Sequence, residues 1–304
     1  MKKIRNFIEY FQYLKNPIEA LQFKFGIKKE CEIQIKNSNY KINLNNTLAL
    51  NRFMDKLPTV KKEKYPEFLE YINDINNNQE ITKIDNIKYI NIYNDNFIKT
   101  HPNEYILCNE EYFSDDQWDM LNLKNRYIID IGANNADTAL YFAKNGSQVI
   151  AFEPVKHIYE LGIENIKINP EIKDKIQFIN KAVGAKKGML DINTGSMKDY
   201  ADKNDSYKIE VITIEDVINE YNFPYDVLKM DCEGCEFEII NNSDLTKFNE
   251  IILEHHAYMV EQDCNQLINK LKSQDFKIKT FPCNASAKPF EEIGIIYAYK
   301  QQKN

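Results

Sequence analysis

From about residue 110 onward, short apolar runs alternate with helical segments, and nothing else in the chain constrains its fold as much. Such alternation builds βαβ units, because two parallel strands need a crossover long enough to hold a helix. Runs at Tyr127–Ile131, Gln148–Phe152, Ile176–Ile179, Tyr225–Met230, Ile251–Glu254, Phe276–Thr280 and Ile295–Tyr299 predict about seven core strands. The last two should form an antiparallel pair. Helices are expected over Ala136–Asn145, after the Gln148–Phe152 strand through about Asn169, and over Asp216–Tyr221. Leu190–Asn193 and Ile209–Ile212 read as an inserted β pair around the polar loop Thr194 to Tyr207. The expectation is an α/β domain over residues 105–304 with a mostly parallel seven-stranded sheet.

Residues 1–104 lack that rhythm and read as a smaller α+β region. Ile4, Phe7, Ile8, Phe11 and Leu14 recur at helical spacing. Asn16-Pro17 with Glu19 has the form of a capping box opening a second helix. Two alternating runs, Cys31–Lys36 and Tyr40–Leu44, flank Asn37-Ser38-Asn39 and predict a hairpin. Residues 47–57 and 66–76 look helical, and 76–100 should hold short strands.

Charge divides the chain in the same way: residues 1–100 carry a net +5 and residues 101–304 a net −12. An acidic second region disfavours nucleic acid as partner. The first 29 residues hold seven Lys or Arg against Glu9 and Glu19. A basic amphipathic helix there suits either packing on the rest of the protein or peripheral docking on an anionic membrane. No apolar run approaches the ~20 residues of a spanning helix. With no signal-peptide pattern at the N-terminus and six scattered cysteines, the expectation is a cytoplasmic protein with reduced thiols.

Three motifs carry chemistry, each where a strand meets its following loop. The first is Asp130-Ile-Gly-Ala-Asn134, followed 21 residues after Gly132 by Glu153 at the end of the next strand. Ligands of doubly wound sheets bind outside the carboxyl ends of the strands, and an acid at that second position accepts ribose hydroxyls. Asn134 and Asp137 stand where a dinucleotide fingerprint requires glycine, which favours S-adenosylmethionine, a ligand without phosphates, over NAD. The second motif is Leu228-Lys-Met-Asp-Cys-Glu-Gly-Cys-Glu236. Asp231 should end the fourth strand beside the pocket, with Lys229 on the same face and paired to it. Glu233 and Glu236 suit a helix start. Cys232 and Cys235 are read as packing thiols, because one CxxC without a second ligand pair is weak evidence for zinc or redox work. The third is Ile252-Leu-Glu-His-His256. Glu254 and His256 share a face, and a near-neutral imidazole held by a carboxylate suits general-base catalysis. His101 and His157 have no companion and read as structural.

Taken together, Tyr127–Ala143, Ala151-Phe-Glu-Pro154, Leu228–Glu236 and Ile252–His256 resemble the FkbM family of S-adenosylmethionine-dependent methyltransferases over about residues 105–300. The resemblance implies a class I, Rossmann-like methyltransferase fold and O-methylation of a hydroxyl on a sugar, glycan or lipid-linked glycan. It places Asp130, Gly132 and Asn134 at the methionine side of the cofactor, Glu153 at the ribose, and Asn180 to Ala182 near the adenine. The family often has glycine where this chain has Ala136. His256 is the expected base, supported by Glu254, with Asp231 orienting the acceptor and Lys229 steadying Asp231. No metal ligand is assigned, although Asp231, Glu233 and His256 could hold a hard cation as a rival mechanism. The loop Thr194 to Tyr207 is the expected acceptor lid. A nucleic-acid methyltransferase and a non-catalytic module on the same fold are the alternative readings.

Overall fold

The computed structural model describes residues 2–90, 117–193, 206–283 and 288–301, and of residues 2–7, 117, 119 and 193 the backbone alone. The chain forms two compact units, Met1–Asp119 and Met120–Asn304. The boundary expected at 104/105 lies outside the described residues, as do His101 and most of the expected lid.

In the first unit, α1 (Lys2–Tyr13) and α2 (Pro17–Lys24) precede the hairpin β1 (Cys31–Gln34) and β2 (Lys41–Leu44), which α3 (Thr47–Lys56) and α4 (Tyr65–Asn76) follow. A second hairpin, β3 (Ile81–Ile84) and β4 (Ile87–Ile90), closes the described part. Asn46 caps α3 by accepting from the Leu48 N–H. The Phe53 and Phe68 rings stack at 5.7 Å to join α3 and α4. Two expectations are corrected here. Asn16 precedes α2 but does not cap it: its carbonyl oxygen accepts from Gln34 N–H, and its amide donates to the Glu32 carbonyl and to Glu19. The hairpin outcompetes the helix for that side chain. The buried residues at the end of α1 are Tyr10 and Leu14, while Ile8 and Phe11 are exposed. The expected stripe therefore straddles two faces.

The second unit contains β5 (Tyr127–Ile131), α5 (Asp137–Lys144), β6 (Gln148–Phe152), α6 (Lys156–Lys167), β7 (Ile176–Ile179), β8 (Ala182–Val183), β9 (Gly188–Asn193), β10 (Ser206–Ile212), α7 (Ile214–Glu220), β11 (Val227–Met230), α8 (Cys235–Asn242), β12 (Glu250–His255), α9 (Ala257–Val260), α10 (Asn265–Ser273), β13 (Lys277–Pro282) and β14 (Gly294–Tyr299). Seven strands form one sheet in the order β13-β14-β12-β11-β5-β6-β7. The five strands from β12 to β7 are parallel, and β14 runs antiparallel between β12 and β13. Because helices cover both faces of a parallel sheet, its central strands are apolar on both sides. All four residues of β11 are buried, and Ile129, Ile131, Phe152, Leu228 and Met230 pack with Phe237 and Leu253 in one core. The inserted β pair is present as β9 and β10, with β8 alongside. The order reverses between β5 and β11, which opens a crevice at their carboxyl ends.

Candidate active site

Four loops meet at that edge. After β5, the chain turns sharply through Gly132, whose φ is +74°. A Cβ there would stand 1.8 Å from the Asp231 carbonyl oxygen. Glycine is thus demanded by the backbone after β11 rather than by a ligand. Asn134 and Ala136 also have positive φ, 47° and 67°. The left-handed conformation costs an L-residue about 1–2 kcal/mol, which explains why glycine suits the position of Ala136 better.

Glu153, at the end of β6, binds the β5 loop from the side. Its carboxylate accepts from Asn134 N–H at 3.1 Å and Val155 N–H at 2.7 Å. Burial nevertheless pushes its pKa up to about 7, against the pull of those two donors. A carboxylate has about four acceptor positions, so two remain for hydroxyls. Asn180, after β7, donates to the Glu153 and Pro154 carbonyls at 2.8 and 3.2 Å. Ala182 is buried in β8. Tyr207 accepts from Lys156 N–H at 2.7 Å and so ties the start of β10 to the loop after β6.

Asp130 and Lys229 lie deeper than expected. Lys229 Nζ stands 2.8 Å from Asp130 Oδ1, not paired to Asp231, and donates to the Gly132 carbonyl at 3.0 Å. Both side chains are buried, and Thr138 donates to the other Asp130 oxygen at 2.6 Å. Burial opposes the charge on Lys229, but Asp130 and Asp231 outweigh it and hold the ammonium firmly protonated. The pair therefore braces the floor of the β5 loop. Thr138 was not foreseen, since a threonine in the first turn of a helix carries no signal of its partner.

The loop after β11 reverses through Glu233 and Gly234, with φ of 57° and 108°. This brings the Cys232 and Cys235 Cα atoms to 5.5 Å, and a disulfide joins them. The expectation of reduced, packing thiols is corrected at this pair. Glu236 is fully buried and accepts from the Cys232 and Gly234 N–H groups at 2.8 and 2.9 Å. It is the helix-start acid that was expected, while Glu233 turns outward toward His256.

His256 follows β12 and is 4% exposed. Its Nδ1 stands 3.5 Å from Glu236, and its Nε2 lies 3.6, 3.8 and 3.9 Å from Glu233, Glu254 and Asp231. Burial alone would lower its pKa, but the Glu236, Glu233 and Asp231 carboxylates outweigh burial and raise it to about 9. The expected near-neutral base is thus an imidazolium at pH 7. Glu254 takes the opposite course: burial, then the Asp231 charge, pushes it up to about 7. Cys283 Sγ donates to it at 3.2 Å. His255 points to the other face, packs edge-on against Phe290 at 5.0 Å, and is lowered to about 4 by burial and His256. His157 is the second residue of α6, directly after the β6 loop, and is half-buried.

The cradle fits S-adenosylmethionine by its donor set: a buried acid for the ribose diol after β6, and a β5 turn without the glycines a pyrophosphate needs. Among solved structures, methyltransferase FkbM from Methylobacillus flagellatus KT is similar at 12% identity, over 84% of this chain and 63% of that one, with a TM-score of 0.43. Magnesium protoporphyrin IX methyltransferase (ChlM) from Synechocystis PCC 6803 with bound SAM shows 12% identity over 59% of this chain and 72% of that one, TM-score 0.37. TrmK of M. capricolum in complex with S-adenosyl-homocysteine shows 15% over 60% and 67%, TM-score 0.36. The chain thus spans less than two thirds of the length of the Methylobacillus protein. No curated protein sequence matches it. The family profile described as "Methyltransferase FkbM domain" matches residues 130–278, which run from Asp130 through all three motifs to β13. Residues 130–278 thus carry an FkbM methyltransferase domain, the catalytic domain of an S-adenosylmethionine-dependent methyltransferase on the class I fold.

Proposed function

We propose that this protein methylates a hydroxyl of a sugar, glycan or lipid-linked glycan. The carrying observation is the convergence of the Glu254, Asp231 and Glu233 carboxylates on His256 Nε2 at the carboxyl ends of β11 and β12, next to the β5 turn. S-adenosylmethionine supplies a methyl group already activated on sulfonium. The protein's share is to hold an acceptor oxygen in line and to remove its proton.

An alcohol is a weak nucleophile, so a base is needed near neutral pH. Glu254, with a pKa of about 7, suits that role better than the charged His256. His256 and the outward Glu233 offer a donor and an acceptor to neighbouring hydroxyls, as a polyhydroxylated acceptor requires. Glu153, Asn134 and Asn180 would hold the cofactor, and the Lys229–Asp130 pair would fix the turn beneath it. The acidic edge disfavours a phosphate-rich acceptor.

The test is transfer of labelled methyl from S-adenosylmethionine to a panel of glycans, glycolipids and tRNA. Label in an ether-linked methyl on a sugar is the expected outcome. Label in tRNA with none in any glycan would overturn the reading.

A further inference from the structure

We propose that Asp231, Glu233 and His256 form a binding site for one divalent cation of the Mn2+ type. The chemical role of the cation rests on the methyltransferase reading above; its binding does not.

One ligand atom from each of the three residues lies within 4.8 Å of the other two. Nε2 of His256 is 3.6 Å from Glu233 Oε2 and 3.9 Å from Asp231 Oδ1. A cation about 2.0–2.6 Å from each ligand sets adjacent ligand atoms about 3–4.5 Å apart. The observed separations fall in that range.

The imidazole supplies the second observation. His256 is 4% exposed, yet its Nε2 is aimed into these carboxylates at distances beyond a hydrogen bond to any of them. The buried Nδ1 of the same ring also lacks a hydrogen-bond partner, and a buried imidazole held in this way calls for an explanation. A cation in the gap displaces the Nε2 proton that the imidazolium carries in the cation-free site, and is held by Nε2 and both carboxylates at once. The other ring nitrogen fits as well: Nδ1 faces the buried Glu236 carboxylate at 3.5 Å. Metal-ligating histidines commonly turn their second nitrogen to such a carboxylate, which fixes the ring.

The loop is built to present this set. Left-handed Glu233 and Gly234 fold Glu233 back beside Asp231, Glu236 holds the Cys232 and Gly234 N–H groups, and the Cys232–Cys235 disulfide closes the turn. One imidazole with two carboxylates suits Mn2+ better than a thiolate-seeking metal. The Asp231 and Glu233 side chains are 36% and 66% exposed, which leaves coordination positions open to an acceptor. There the cation would lower the pKa of an acceptor hydroxyl. The proton would pass to Glu254 as the new O–CH3 bond forms and the C–S bond breaks, releasing a neutral thioether.

The experiment uses the full-length chain stripped with chelator. Mn2+ is titrated in and the free ion followed by EPR, while S-adenosylhomocysteine binding is measured by calorimetry on the same sample. One saturable Mn2+ site is expected, weakened at least tenfold by Glu233→Gln and by His256→Ala. Exposed Glu238 on α8 provides the control, Glu238→Gln, with unchanged affinity. Because Glu233 lies on an exposed loop, Glu233→Gln keeps the test decisive even if His256→Ala unfolds. Absence of a saturable site, or equal affinity in Glu233→Gln and the parent, overturns the proposal. S-adenosylhomocysteine binding without an Mn2+ site sinks the cation and leaves the methyltransferase reading. An Mn2+ site without S-adenosylhomocysteine binding does the reverse.

Discussion

Lys229 Nζ and Asp130 Oδ1 form an ion pair at 2.8 Å across two neighbouring parallel strands, with side-chain exposures of 2% and 0%. The two residues are register partners on β11 and β5. Their contact joins the strands whose following loops carry the cofactor turn and Asp231. The Lys229 ammonium also holds the Gly132 carbonyl, so one side chain sets the shape of the turn from below. A buried pair is seldom a net source of stability compared with apolar residues, but it is costly to break on one side.

Lys229→Met should therefore destabilise the second unit by about 3–5 kcal/mol, because Asp130 keeps its charge in a buried site. Adding Asp130→Asn should recover part of the loss, since Asn can still accept from Thr138. Urea unfolding of the single and double variants measures this. Equal stability for Lys229→Met and the double variant would show that the Asp130 charge is not the problem.

Glu153 links cofactor affinity to pH. A carboxylate accepting ribose hydroxyls must be ionised, and its folded pKa of about 7 leaves it largely protonated at pH 6. Affinity for S-adenosylhomocysteine should rise from pH 6 to 8 by about tenfold and level off above. Glu153→Gln should flatten that profile and weaken binding about thirty-fold at pH 8, the loss of about 2 kcal/mol in charge-assisted hydrogen bonds. Calorimetry across this range checks both. A sloping profile in Glu153→Gln would move the titrating group elsewhere.

The strands of the second unit were legible because a sheet covered on both faces forces short apolar runs, and those runs stand out in this Ile-rich chain. The edge position of Asp231, Glu254 and His256 followed from where each run stops. The partner of Lys229 was not legible. Alternation along one strand pairs it with Asp231, but β11 ends at Met230 and the chain turns away. Asp130 becomes the partner only through the register between β5 and β11, which no local pattern encodes. The Cys232–Cys235 bond was hidden for a similar reason. The CxxC spacing permits many conformations, and closure depends on two successive left-handed residues, one of them a glutamate.

That bond has a direct chemical readout. Alkylation of the denatured, unreduced protein should label Cys31, Cys264 and Cys283 but leave Cys232 and Cys235 unmodified, and reduction should expose both. Peptide mass spectrometry of the 227–242 region reads the difference. If the Glu233–Gly234 turn needs the bond to hold Glu233 in place, Cys232→Ser/Cys235→Ser should also weaken Mn2+ binding several-fold while sparing S-adenosylhomocysteine. Full labelling of Cys232 without reductant would refute the disulfide in the purified protein.

At the opposite edge of the sheet, Asp226 gathers the amino ends of three strands. It receives both ends of the Arg126 guanidinium at 2.7 Å, the Tyr127 N–H at 3.1 Å and the Asn249 amide at 2.9 Å. Arg126 reaches on to Glu250 at 2.8 Å. Burial would raise the Asp226 pKa, but the Arg126, Asn249 and Tyr127 hydrogen bonds outweigh it and hold the carboxyl below its ordinary range. A depressed carboxyl pKa contributes stability that is complete above the unfolded value of about 3.9 and fades as pH falls through the folded one. Asp226→Asn should cost about 2–3 kcal/mol at pH 7, where it breaks a bidentate pair that is 14% and 17% exposed. The gap between the parent and Asp226→Asn should stay constant from pH 7 to 5 and narrow steadily below pH 4. Urea midpoints measured across that range test the assignment. A gap that widens on acidification would mean that Asp226 is protonated more readily in the folded protein than in the unfolded one, the opposite of what its four donors require.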